Sequence, residues 1–263
     1  VSAPYGLASS TVLWTYEDLK SLSDEVRSKY PTAIIVGARN AGTSALHTFL
    51  CYHPDIACTM WDDGFFSRDD IYSQGPEKWL SKLRPGSNVV LKTAEYFHSD
   101  KVPGRVYALN NATKIIVILR NPIERMILDY MSMRRYPKIP DALEKNNSLN
   151  EMLLNSDGKI NTHWGCFRRS LYSLYYKRWS AWFSKGQIHI VNGDKFSQEN
   201  PAMELTKVED FLELKHFFEE SSFAYNNDKG FYCYETNCLG EGKDHDLPTL
   251  DSDLIGRLKF KLR

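Results

Sequence analysis

Several classes of function find little support in this chain of 263 residues. No stretch stays apolar for the roughly 18 positions that a membrane-spanning helix needs, so a link to a membrane would have to come from an anchor outside the sequence. Lysine plus arginine equal aspartate plus glutamate at 33 each, which leaves no net charge. Without a global basic field, an anionic partner must be held by local clusters, and a nucleic-acid partner is not expected. Repeats, low-complexity tracts and clear linkers are missing, so residues 1–263 read as a single domain with 1–30 as an N-terminal extension. The chain opens Val-Ser-Ala-Pro and stops on Leu258-Lys-Phe-Lys-Leu-Arg263, in a helical pattern. Both ends read as cut or processed, the carboxyl end as truncated, so the chain does not report its own targeting. Aromatic residues, by contrast, are plentiful: 15 Tyr, 13 Phe and 6 Trp. Disorder is therefore not expected away from the ends.

Cysteine is scarce, at five residues. Cys233 and Cys238 flank a short polar turn, which suits a small disulfide loop, two free thiols or half a zinc site. A zinc site would need two further ligands, and His245 alone is a poor start. The sequons Asn111-Ala-Thr113 and Asn146-Asn-Ser148 permit glycosylation of a secretory protein.

Short apolar runs alternate with helical patterns. Ala33–Val36, Asn88–Thr93, Lys114–Leu119 and Gln187–Asn192 read as strands. Helical patterns follow at Ser44–Leu50, Val102–Leu109, Ile123–Met131, Ser170–Phe183 and Ala202–Leu214. Such alternation predicts an α/β fold with a central parallel sheet covered by helices on both faces. Residues 134–165 read as an irregular insertion, and the tail from Ser221 as loop-rich. Trp179, Trp182, Tyr172, Tyr175 and Tyr176 recur at helical spacing and belong to the core. His189 reads as structural, and His163-Trp164 as a surface loop.

The chemistry is expected where the first strand runs into Gly37-Ala-Arg-Asn-Ala-Gly-Thr-Ser44 and then a helix. Backbone N–H groups at such a helix start face an anion, and the helix dipole favours negative charge. Thr43 and Ser44 add hydroxyls and Arg39 adds charge. The loop lacks the Gly-Lys-Ser/Thr of nucleotide triphosphatases and the three-glycine spacing of dinucleotide sites. Arg120 ends a fully apolar strand, and Lys92 lies late in another. Ligands of open α/β sheets collect at these carboxyl ends, so a ligand with two separated phosphate groups suits the arrangement.

The ordered segments around these positions resemble the heparan sulfate sulfotransferases, most of all the glucosaminyl 3-O-sulfotransferase group, then the N-sulfotransferase domain. They include Ile34-Ile-Val-Gly-Ala-Arg39, Gly42-Thr43, His53-Pro-Asp55, Phe65-Phe66, Lys92-Thr93 and Tyr96-Phe97. Further on come Ile118-Leu-Arg120, Glu124-Arg125, Asp129-Tyr130, Arg169-Ser-Leu-Tyr172, Gly193-Asp194 and Lys229-Gly-Phe-Tyr-Cys233. The resemblance spans residues 31 to 258 and implies a P-loop-like sulfotransferase fold. It implies transfer of a sulfuryl group from 3′-phosphoadenylyl sulfate, leaving adenosine 3′,5′-bisphosphate, to a sulfated glycosaminoglycan chain. No metal enters such chemistry. A monomer in the Golgi lumen, or secreted, is expected.

Donor contacts are implied for Arg39, Asn40, Ala41, Gly42, Thr43, Ser44, Arg120, Leu128, Tyr232 and Lys243. Lys92 would stand by the transferring group, and Asp62 would take the acceptor proton, with Asp63 or Glu95 next in line. Arg134, Arg135, Arg168 and Arg169 would meet the glycan, and Cys233 and Cys238 would form a disulfide beside the adenine. The chain departs from the pattern at some of these places. Asn40 stands where the family has lysine, Asp62 where it has glutamate, and Leu128 where a serine helps hold the 3′-phosphate. Asp244 and His245 follow Lys243 where the family has glycine and arginine. These changes leave a second reading, a diverged relative with little or no activity that binds glycan or serves as a scaffold.

Overall fold

The computed structural model describes residue 14 and residues 19–59, 64–135, 148–239 and 248–262. Asp62, Asp63, Lys243, His245 and the Asn146 sequon lie outside these residues. Five strands form one parallel sheet in the order β2-β3-β1-β4-β5: β1 Ala33–Gly37, β2 Ala57–Cys58, β3 Val89–Lys92, β4 Lys114–Leu119 and β5 Ile188–Asn192. β1 is fully buried, and β4 is buried from Ile115 to Ile118. Both faces of these central strands are covered, which is why their sequences are continuous apolar runs rather than alternating ones. β2 escapes a sequence reading because two residues carry no periodicity.

The helices that matter to the cleft are α1 Thr43–Leu50, α2 Pro122–Arg135, α3 Gly165–Arg168, α4 Tyr172–Ser180, α5 Gly193–Gln198, α6 Ala202–Leu212 and α7 Ser252–Lys261. Pro122 starts α2, where a missing N–H costs nothing, and the Asn121 side chain accepts from the N–H of Ile123. Two hydrophobic clusters hold the molecule. The larger surrounds the sheet and includes Trp179, Phe97, Phe65 and Phe66. The smaller lies behind α2 and gathers Met126, Tyr130, Leu153, Phe167, Leu254 and Leu258.

Three expectations are corrected. The stretch 134–165 is not irregular throughout: Ser148 caps a helix at Leu149–Leu153 with a capping box. Trp164 belongs to the smaller core at 3% exposure rather than to a surface loop. The tail contains an antiparallel hairpin, β6 Phe223–Asn226 with β7 Phe231–Tyr234. The aromatic residues of α4 pack as expected, with Trp179 and Tyr175 buried, and His189 stacks on Phe211.

Cys233 and Cys238 are joined. So are Cys51 and Cys58, a bridge the sequence reading missed, tying the end of α1 to β2.

Candidate functional site

The loop from β1 to α1 forms one wall of a cleft of about 510 Å³ at the carboxyl ends of the strands. Arg39, Asn40, Gly42, Thr43 and Ser44 contribute from the loop, Lys92 from the end of β3, Ala94 and Glu95 from just beyond it, and Leu128, Ser132 and Arg135 from α2. Gly42 is the N-cap of α1 at φ +107°, a left-handed conformation that side chains resist. Asn40 also has positive φ, at 59°, which asparagine tolerates better than most residues.

Beneath the loop is a buried charge network. The Asp129 side chain is fully buried on α2. Its Oδ2 accepts from Arg125 Nη1 at 2.8 Å and Arg169 Nε at 2.7 Å. Its Oδ1 accepts from Asn40 Nδ2 at 3.1 Å and lies 3.3 Å from Arg39 Nε. Burial alone would raise the Asp129 carboxyl, but Arg169 and Arg125 outweigh it and hold it below the usual range. Arg169 is pushed upward: burial opposes this, and Asp129 overcomes it. The Asn40 amide is thus engaged by Asp129 on one side of the loop.

Arg120 stands outside the cleft lining, at the end of β4. Its guanidinium lies 3.4 Å from Asp194 and 3.6 Å from Glu124. Asp194 also accepts the Asn121 N–H at 2.8 Å, which joins the β4 and β5 ends. Gly193 lies at this junction. A Cβ there would come within 2.7 Å of Arg120 Cγ, 2.9 Å of the Leu119 carbonyl and 3.0 Å of the Ala41 carbonyl. Since two of those neighbours are backbone, Gly193→Ala is expected to lower unfolding stability by about 1–3 kcal/mol, measurable by urea denaturation.

The other expected residues scatter. Ala41 is buried behind the loop at 1% exposure. Leu128 lines the cleft, as does Ser132 one helical turn on, a hydroxyl that position counting missed. Tyr232 packs against Tyr225 in the tail hairpin, away from the lining. Arg134 is exposed and donates to the Tyr130 hydroxyl at 2.8 Å, and Arg168 is exposed. Arg169 differs from Arg168 in being partly buried, with its Nε donating to Asp129 within the network. Lys92 has no hydrogen-bond or ion-pair partner among the described residues, which leaves its ammonium to the cleft.

His47, Cys51 and Cys58 bring three possible metal-ligand atoms within 4.8 Å of one another. The two sulfurs are bonded to each other, however, and a disulfide offers no thiolate to a metal.

A parallel sheet whose strand ends present a glycine loop, a helix N-terminus, a free lysine and paired arginines defines an α/β protein with an anion-binding cleft. The sulfotransferase domain model matches residues 31–250, and the chain belongs to that family. Heparan sulfate glucosamine 3-O-sulfotransferase 3A1 of Mus musculus is 34% identical over 255 residues, covering 92% of this chain and 62% of its own length. Heparan sulfate glucosamine 3-O-sulfotransferase 6 of Homo sapiens is 32% identical over 247 residues, covering 89% and 69%. The chain thus spans about three-fifths to two-thirds of the length of these curated relatives. A sulfotransferase from Alicyclobacillus acidocaldarius shares the fold, at TM-score 0.63 and 20% identity, over 88% of this chain and 91% of that one.

Proposed function

We propose that the protein transfers a sulfuryl group from 3′-phosphoadenylyl sulfate to a sugar of a heparan sulfate-like chain. The observation that carries this reading is the meeting of Lys92 with the Gly42–Ser44 helix start in one cleft. Sulfuryl transfer, like phosphoryl transfer, needs in-line positioning and donors aimed at charge developing on the leaving oxygens. The N–H groups and hydroxyls of Thr43 and Ser44 suit the phosphosulfate end, with Arg39 beside them. Lys92 then steadies the charge that grows on the bridging oxygen as the sulfur–oxygen bond breaks. Arg120 suits the 3′-phosphate, Ser132 offers the hydroxyl that Leu128 lacks, and Tyr232 and Lys243 complete the nucleotide contacts by position. Asp62 is our assignment for the carboxylate that takes the acceptor proton.

The exposed Arg134, Arg135 and Arg168 are cations on the side of α2 and α3, suited to sulfate and carboxylate groups of the acceptor. Relatives named for heparan sulfate support that choice of acceptor. Two disulfides suit an oxidising compartment, for which we propose the Golgi lumen or the cell exterior. Calorimetry with adenosine 3′,5′-bisphosphate tests the reading. Saturable one-to-one binding is expected, and no heat up to millimolar ligand overturns it.

A further inference from the structure

We infer that Glu95 is a built-in competitor of the donor: its carboxylate takes the guanidinium of Arg39 that an incoming phosphosulfate would use, and thereby sets donor affinity. The inference rests on the function proposed above.

Arg39 is the only cation between Gly37 and Ser44, because Asn40 is neutral. Its two guanidinium partners differ in kind. Asp129, fully buried, lies 3.3 Å from Nε and is already balanced by Arg125 and Arg169. Glu95 lies 3.1 Å from Nη1 with its side chain 47% exposed, and it lines the cleft. The buried partner orients Arg39, so Glu95 is not needed for that. What Glu95 adds in the cleft is negative charge, placed where a dianionic group would arrive. Two like charges sharing one guanidinium repel at short range in a partly dry cleft, where water and salt screen poorly.

The carboxylate is held in its charged form. Burial pushes Glu95 up, but the hydrogen bond and charge of His98, then Arg39 and Arg169, outweigh it and keep it below the usual range. The groups that act on it come from three places: Arg39 on the loop, His98 three residues along its own segment and Arg169 after α3, while Lys92 at the end of β3 lines the same cleft. His98 Nε2, 3.1 Å from Glu95 Oε2, gives the carboxylate a second partner, so it need not be stranded when Arg39 is surrendered to an anion. A nucleotide ending in a phosphate or phosphosulfate must therefore displace Glu95 from Arg39 or bind beside it against repulsion.

The test is calorimetry with adenosine 3′,5′-bisphosphate on the whole chain, in the wild type, Glu95→Gln, Arg39→Gln and the double variant. Glu95→Gln is expected to tighten binding about tenfold. The gain should vanish in the Arg39→Gln background, since the two residues compete through one guanidinium. Glu77→Gln, an exposed acid far along the chain from the loop, controls for net charge and should leave Kd unchanged. Wild-type binding that Glu95→Gln leaves unchanged or weakens overturns this inference alone. So does a gain that survives Arg39→Gln, or one that Glu77→Gln reproduces. If neither the wild type nor Glu95→Gln binds, both this inference and the proposed function fall. Binding by Glu95→Gln alone supports this inference and overturns the proposed function for the wild type.

Discussion

Replacement of Lys92 by alanine is expected to lower kcat for sulfate transfer by about a thousandfold while leaving the Kd for adenosine 3′,5′-bisphosphate within a few-fold of wild type. Lys92 lines the cleft beside Thr43 and Ser44 and makes no ion pair among the described residues. Its ammonium is therefore not committed to holding the fold. A cation aimed at charge that appears only during bond breaking acts on the transition state more than on the bound ground state. Removing one such preorganised donor from a partly dry site has an effect of about this size. The loss should fall on kcat rather than on KM for the donor. Asp62→Asn is expected to act in the same direction on kcat, because an amide cannot accept the acceptor proton. Lys92→Ala with unchanged turnover would remove the lysine from the chemistry; loss of bisphosphate binding alone would make it a ground-state contact.

Asp129→Asn is expected to give the largest loss of stability of any single conservative change near the cleft, about 3–5 kcal/mol, read from urea denaturation. The Arg125 side chain is fully buried and pairs with Asp129 at 2.8 Å, and Arg169 pairs with the same oxygen. Removing the carboxylate charge strands guanidinium groups where water cannot replace it, which costs more than an exposed pair contributes. The direction with pH follows from the same network. The folded Asp129 carboxyl is held below its unfolded value. Its contribution is therefore present above the ordinary aspartate range near pH 4 and is lost as acid carries the pH down through the folded value. Wild type should lose stability steeply below about pH 4, and Asp129→Asn should show a shallower acid limb. Equal slopes would place the acid sensitivity in another group. Donor affinity should weaken in the same variant, because Arg39 and Asn40 both lean on this carboxylate.

The fold was legible from continuous apolar strands. Ala33–Gly37 and Lys114–Leu119 lie where their runs indicated, because double-sided burial leaves no polar residue in them to confuse the pattern. The shortest strands were not legible. β2 is two residues long, and the hairpin of β6 and β7 hides in a polar tail whose order comes from cross-strand packing such as Tyr225 on Tyr232. The loop and Lys92 could be read because strand ends collect ligands.

What the sequence concealed was the partnership among these charges. Arg169 and Arg168 look alike in a row, yet one turns inward to Asp129 and the other stays in water. Only the crossing of α2 beneath the loop separates them. Glu95 is similar: nothing in Thr93-Ala-Glu-Tyr96 announces that its carboxylate will meet a guanidinium 56 positions earlier in the chain. Counting along a motif also placed a leucine at a phosphate position, while a serine one turn further faces the same cleft.

The two hydrophobic clusters give the cleft walls unequal freedom. The loop and Lys92 stand on strands clamped within the larger cluster, so they form a fixed jaw. Leu128, Ser132 and Arg135 belong to α2, whose rear rests on the smaller cluster with Leu254 and Leu258 of the final helix. That wall is an adjustable jaw, with its setting screw more than a hundred residues downstream. Changes to the final helix can regrip the cleft from behind, without touching a residue that faces the ligand.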